Sequence, residues 1–301
     1  MTLTIPTSIV GASAGPLAQT IDARWLMAYA AALGETDPRY FDTLDPAGPL
    51  AHPLFPVCYE WAVAVAMREK TLDASIQRQS VHATHHLTIH RAPRAGDTLT
   101  TTARVLHVAP RRAGTLLVTR FETVDAGGTR VTTTDYGSVY RGVTLQGSTS
   151  AADAPRGSAA AGDGGGDPAD RTRPRGGSEG SPGVRWAEDV RVPPGAAWVY
   201  TECARIYNPI HTDVAVARSA GLSAPILHGT ATLALAVSRV IAHDLGGEPA
   251  RVREVRGRFT GMVAMPSTFT VRGRAAEGPG VAFDAVGADG ASILGQGVLI
   301  A

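Results

Sequence analysis

The chain has 301 residues, 44% hydrophobic and 18% charged, enough for two domains that each bury a core. A net charge of +1 excludes a general field that would draw in nucleic acid or an anionic membrane, so neither is expected as a partner. Cys58 and Cys203 form no disulfide framework, the N-terminus lacks a signal-peptide pattern, and the apolar stretch 230–241 is too short to span a bilayer; the expected location is cytoplasmic.

In chain order, the first long apolar run is CYEWAVAVAM (58–67), which predicts a helix. Strand-like alternation rich in Val, Thr and aromatics follows at 86–90, 98–107, 115–123 and 130–140. From 147 to 183 the composition turns to Gly, Ala, Ser, Pro, Asp and Arg. A segment so poor in large apolar groups cannot repay the entropy of ordering, which predicts a flexible linker. A second helix-like run, TATLALAVSRVI (230–241), then precedes strand-like runs at 252–263, 268–274, 280–286 and 292–300.

The two halves repeat. Setting Pro38 on Pro209, an offset of 171 residues, also sets Tyr29 on Tyr200, Tyr40 on His211 and Asp42 on Asp213. A further proline follows in each half, Pro53 and Pro225, just before the helix. One long helix followed by antiparallel strands, occurring twice, predicts an α+β fold with a sheet wrapped around each helix. The expected domains are 1–146, a linker at 147–183, and 184–301.

The second half carries Asn208-Pro209-Ile210-His211, then Ala217, then His228-Gly229. This pattern resembles the MaoC-like, (R)-specific enoyl-CoA hydratase family, whose signature reads Asp-x-Asn-Pro-(Leu/Ile)-His with a later His-Gly step. The segment LTIHRAPRAGDTL (87–99) also looks like the family's strand–turn–strand. The resemblance implies a double hot-dog fold in which a degenerate first half helps to form the acyl tunnel. It further implies reversible addition of water across a 2,3-enoyl thioester, carried by coenzyme A or an acyl-carrier protein, with no metal and no redox cofactor. A homodimer is within what it implies.

Each motif residue suits that chemistry. His211 can move protons near neutral pH. Asn208 can hold water or the β-hydroxyl, and Pro209 shapes the turn that presents both. Gly229 stands where the second helix begins, so its N–H can meet a developing enolate oxygen. His228 and Tyr207 are expected to contact substrate. The plainer alternatives are an ordinary turn capped by Asn208 and a simple helix start at His228.

One departure stands out. Where the family has its catalytic Asp, this chain has Ile206. Either another acid serves, or His211 alone activates water, or the chain has left hydratase chemistry. The candidate substitute acids are Glu202, one helical turn earlier, and Asp213, which read more simply as a solvent-facing helix carboxylate and a helix cap. In the first half Glu35, Asp37 and Tyr40 occupy the matching positions, and the lack of a histidine there marks that half as non-catalytic. His82, His85, His86 and His90 alternate across a strand and read as a polar face or an interface rather than a metal site. Cys203 reads as a buried small side chain. Arg251, Arg253, Arg256 and Arg258 could meet phosphates of the carrier arm, or simply form a solvated strand face. Besides hydration, two readings stay open: a hot-dog fold reused for isomerisation or cyclisation, and a non-catalytic thioester-binding partner.

Overall fold

A computed structural model describes residues 2–147, 183–276 and 278–301. The first half runs β1 (Thr4–Pro6), β2 (Ser13–Thr20), α1 (Ala23–Ala32), α2 (Pro56–Thr71), α3 (Ala74–Gln77), β3 (Ser80–Ile89), β4 (Thr98–Arg111), β5 (Gly114–Val124), β6 (Arg130–Arg141) and β7 (Thr144–Gln146). The second runs β8 (Val184–Val192), α4 (Ala196–Ala204), α5 (Val214–Ser219), α6 (Gly229–Asp244), β9 (Glu254–Phe259), β10 (Ser267–Arg274), β11 (Val281–Gly287) and β12 (Ser292–Ile300). The expected linker, apart from its end residues, lies outside the described residues.

Ten strands form one sheet in the order β2-β4-β5-β6-β3-β9-β12-β11-β10-β8. Read outward from the β3–β9 seam, both halves have the same order, and the repeat in the sequence becomes a repeat in space. The seam is antiparallel, pairing His86 with Arg256 and Leu87 with Val255. All the predicted strand runs appear. The outermost strands, β2 and β8, were not anticipated. β2 contains Gly15-Pro16 and has mostly exposed side chains, so it lacks the alternation of a half-buried strand, and a proline fits there because it sits at a sheet edge.

Each half folds its sheet around one central helix. In α6 nearly every residue from Thr230 to Ile241 is buried, as expected of a helix that is apolar all round. Full burial of side chains such as Leu233 and Val237 is worth roughly 1.5–3 kcal/mol each. One hydrophobic core runs through the seam and joins Phe55, Leu87 and Val57 to Val255, Ala231 and Leu233. A second, confined to the first half, gathers Val63, Met67, Val105 and Tyr140. The helices α1 and α4 meet where the halves touch, with the Tyr29 and Tyr200 hydroxyls 3.3 Å apart.

Candidate active site

The site begins where α4 stops. Arg205 takes a left-handed conformation (φ 58°), unusual for a residue with a side chain. Two contacts across the halves hold it there: its guanidinium lies 4.0 Å from the centre of the Trp25 ring, and it reaches Asp22 at 3.4 Å. The chain then runs extended, turning Ile206 inward, Tyr207 outward and Asn208 inward, before Pro209–His211 form a single 3-10 turn.

His211 is buried, and its Nδ1 lies 2.8 Å from the Ile226 carbonyl oxygen. A carbonyl can only accept, so Nδ1 carries the proton and Nε2 keeps its lone pair. The His228 ring stacks on it, with centroids 3.7 Å apart and planes at 25°, and His228 Nε2 lies 3.2 Å from the Thr201 hydroxyl. Burial pushes the His211 pKa down to about 4. Burial, reinforced by the neighbouring His211, pushes His228 down to about 2. Both rings are therefore neutral at pH 7.

Asn208 does not cap the turn it begins, so its amide is not spent on that turn. Gly229 starts α6, whose first N–H groups have no intrahelical carbonyl to bond. A side chain there would meet the Phe259 ring at 3.2 Å. Asn208, His211, His228 and Gly229 all line one cavity of about 150 Å³, together with Ile206. The turn and the helix start, some twenty residues apart in the chain, thus converge as the motif implied.

The substitute acid does not. Glu202 is exposed and lies outside the cavity lining. The expectation assumed a helix continuous through Ile206. Because α4 ends at Ala204 and Arg205 reverses the backbone, one turn of spacing no longer means one face. Tyr207 is also misplaced by the sequence reading: it is 59% exposed and faces away from the cavity. Asp213 caps α5, accepting from the Ala215 and Val216 N–H groups at 2.7 and 3.1 Å. Glu35 accepts from the Ser238 hydroxyl at 2.5 Å, and burial raises its pKa.

The first half contributes what local reading overlooked. Glu60, Arg68, His82 and Tyr136 line the same cavity. His82 stacks on Tyr136 with centroids 3.6 Å apart and lies 4.3 Å from the Phe259 ring, which links it to Gly229. His86 pairs with Glu254 at 2.9 Å, and His90 reaches the Thr133 hydroxyl at 3.0 Å, so these histidines serve separate contacts. Glu60 carried a visible signal: a lone carboxyl inside the apolar run CYEWAVAVAM. Burial pushes the Cys203 thiol up, away from reactivity. Arg251 and Arg253 bond backbone carbonyls, and Arg256 pairs with Glu254.

Residues 183–281 match the family described as MaoC like domain, and residues 8–134 match the family described as FAS1-like, dehydratase domain region. A peroxisomal enoyl-CoA hydratase 2 of Arabidopsis thaliana is 39% identical over 71 residues, 24% of this chain and 23% of that protein. A peroxisomal multifunctional enzyme type 2 of Drosophila melanogaster is 41% identical over 64 residues, 21% of this chain and 11% of that one. The aligned stretch is thus less than a quarter of either relative. A MaoC-like dehydratase from Phytophthora capsici superposes with a TM-score of 0.78 at 23% identity, covering 98% of this chain and 96% of the other. A Mycobacterium tuberculosis protein described as having a double hotdog fold superposes at 0.56 and 20% identity, covering 96% and 94%. At these identities the superpositions speak for the fold.

Proposed function

We propose that this chain, which belongs to the MaoC-like dehydratases, adds water to, or removes it from, a 2,3-enoyl or 3-hydroxyacyl thioester. The observation that carries this reading is the tautomer of His211. Its Nδ1–H is committed to the Ile226 carbonyl, leaving a basic Nε2 in the cavity that Asn208 and Gly229 also line.

In the hydration direction, Nε2 takes a proton from a water held by Asn208 while that water's oxygen bonds to Cβ. The C=C electron pair moves through Cα to the thioester oxygen, where Gly229 N–H at the start of α6 meets the developing negative charge. The enolate then collapses, and Cα takes its proton from the His211 imidazolium, restoring the neutral ring. With Ile206 in place of a carboxylate, one imidazole both takes and returns the proton, which puts H and OH on the same face. Dehydration is the reverse.

The reading extends to the rest of the molecule. The chemistry belongs to 184–301, the half at 1–146 supplies a wall of the cavity, and 147–183 joins them. The thioester is carried by coenzyme A or an acyl-carrier protein, in the cytoplasm, and the protein pairs with a second copy. Among the described residues no helix is long and apolar enough to cross a membrane.

Purified protein supplied with enoyl thioesters of increasing length should consume them, as followed by loss of the conjugated-thioester absorbance. A second reading, isomerisation or cyclisation on the same fold, is favoured by the buried Ile206, which lines the same cavity as His211 and His228 and makes it less polar than a carboxylate would. Ile206→Asp, once shown to be folded, should raise hydration if the cavity holds the substrate productively. Wild type and Ile206→Asp both inert on every thioester would decide for the second reading.

A further inference from the structure

Apolar side chains from both halves line the cavity, among them Val57, Trp61, Phe121, Ile206, Leu227 and Ile293, a surface suited to a hydrocarbon tail. Set among them, the first half adds the polar groups of Glu60, Arg68, Ser80 and Tyr136. The helix α2 presents Val57, Glu60, Trp61, Ala64 and Arg68 to the cavity, the spacing of a single helical face that tracks along it. A second cavity of about 40 Å³ shares Ala64, Arg68, Ser80 and Tyr136 with the first and continues into the first half towards Ser138 and Tyr140. Polar groups of the first half therefore recur along both cavities.

Glu60 is the residue hardest to explain as scaffold. It is 3% exposed, and it is the one carboxylic acid among the described residues lining the cavity. The Thr134 hydroxyl donates to its Oε1 at 2.6 Å, which fixes the group's orientation. Burial pushes its pKa up to about 8, so at neutral pH the group carries a proton and can donate as well as accept. A plain alkyl chain drawn past it would leave that capacity unmet in a dry site, whereas an oxygen substituent would meet it.

Resting on the hydratase reading above, we propose that the acyl chain taken by this cavity carries an oxygen substituent, a hydroxyl or a ketone, beyond the double bond, and that Glu60 is the residue that selects for it. Tyr136, Ser80 and Arg68 add further polar groups for that substituent. The apolar side chains set among them receive the hydrocarbon part of the same chain.

The test compares a straight medium-chain 2-enoyl thioester with the same chain bearing one hydroxyl, or one ketone, at successive carbons beyond the double bond. At least one oxygenated chain should be favoured by roughly tenfold or more in kcat/KM, since a site built to hydrogen-bond a substrate oxygen rejects the analogue lacking it. Glu60→Leu should erase that preference and raise kcat/KM for the plain chain, and Glu60→Gln should keep most of it. Calorimetric affinities for the saturated counterparts, oxygenated and plain, judge the same preference without any turnover. An inert protein that still binds oxygenated chains more tightly, through Glu60, would sink the hydratase reading and leave this inference standing. Equal handling of plain and oxygenated chains by wild type would overturn it. So would a loss in Glu60→Gln of equal size on every substrate, which would place the carboxyl in the chemistry instead.

Discussion

The turn at Pro38–Tyr40 and the turn at Pro209–His211 share a backbone and differ in employment. Both are single 3-10 turns with proline at the start. In the first, Asp37 caps the turn, accepting from the Arg39 N–H at 2.9 Å, and Arg39 reaches across to Glu248 at 2.6 Å and the Gly247 carbonyl at 2.6 Å. The charged groups there are spent on holding the turn and fastening it to the other half. In the second, Asn208 makes no cap bond and His211 keeps one ring nitrogen for the cavity. The first turn is thus a fastener between the halves, whereas the second leaves polar groups facing a cavity, the arrangement the proposed chemistry needs.

The comparison can be broken most severely at its matched pair. His211→Ala should lower kcat/KM by about 10²–10⁴ with an unchanged circular dichroism spectrum, since that is the usual worth of a general base. Tyr40→Ala, at the equivalent position, should act on stability instead, by about 3–5 kcal/mol for a buried aromatic, with the rate per folded molecule little altered. A Tyr40 variant that stays stable but loses its rate would show that both turns serve the reaction. Gly229→Val comes next: its first side-chain carbon would press on Phe259 at 3.2 Å and disturb the N–H geometry, for a fall of about 10²–10³ in kcat.

The pH profile sharpens the contrast further. Because the His211 pKa is depressed to about 4, the acidic limb of kcat/KM should lie near pH 4 and not near 6.5, as measured on the free enzyme. The same shift has a stability consequence with a definite sign. His52 and His85 are held near 3, His211 near 4 and His228 near 2, all below the ordinary value of 6.5. Stability from keeping them neutral is fully present above about pH 6.5 and drains away as pH falls towards those lower values, because the unfolded chain takes up protons first. Thermal midpoints should decline on acidification through that window. Smallest of all, Arg39→Ala cuts the fastener of the first turn. Arg39 and its partners are partly solvent-exposed, which screens the pairs, so calorimetry should find about 1 kcal/mol or less and kinetics should find no change.

Much of the molecule was legible in the chain itself. The repeat at an offset of 171 residues, the two central helices and the inner strands follow from apolar periodicity, and Asn208, His211 and Gly229 follow from a local motif. Each of these depends on residues close together in sequence, where the backbone's own geometry sets which side chains share a face. Local reasoning failed where the backbone broke period. Glu202 was assigned to the face of Ile206, and the left-handed Arg205, held by Trp25 and Asp22 from the other half, put the two on different sides.

What only the tertiary structure decided is the far wall of the cavity. Glu60, His82 and Tyr136 lie more than ninety residues from His228 in the chain, and no spacing rule connects them. They meet the motif because β3 pairs with β9, which seats the central helix of one half beside the Pro209–His211 turn of the other. That pairing is chosen by the burial of Leu87 and Val255 in one continuous core, a long-range contact whose free energy depends on both halves at once. The sequence alone therefore pointed to a histidine, an asparagine and a glycine. Which groups face them across the cavity was settled by how the two halves pack.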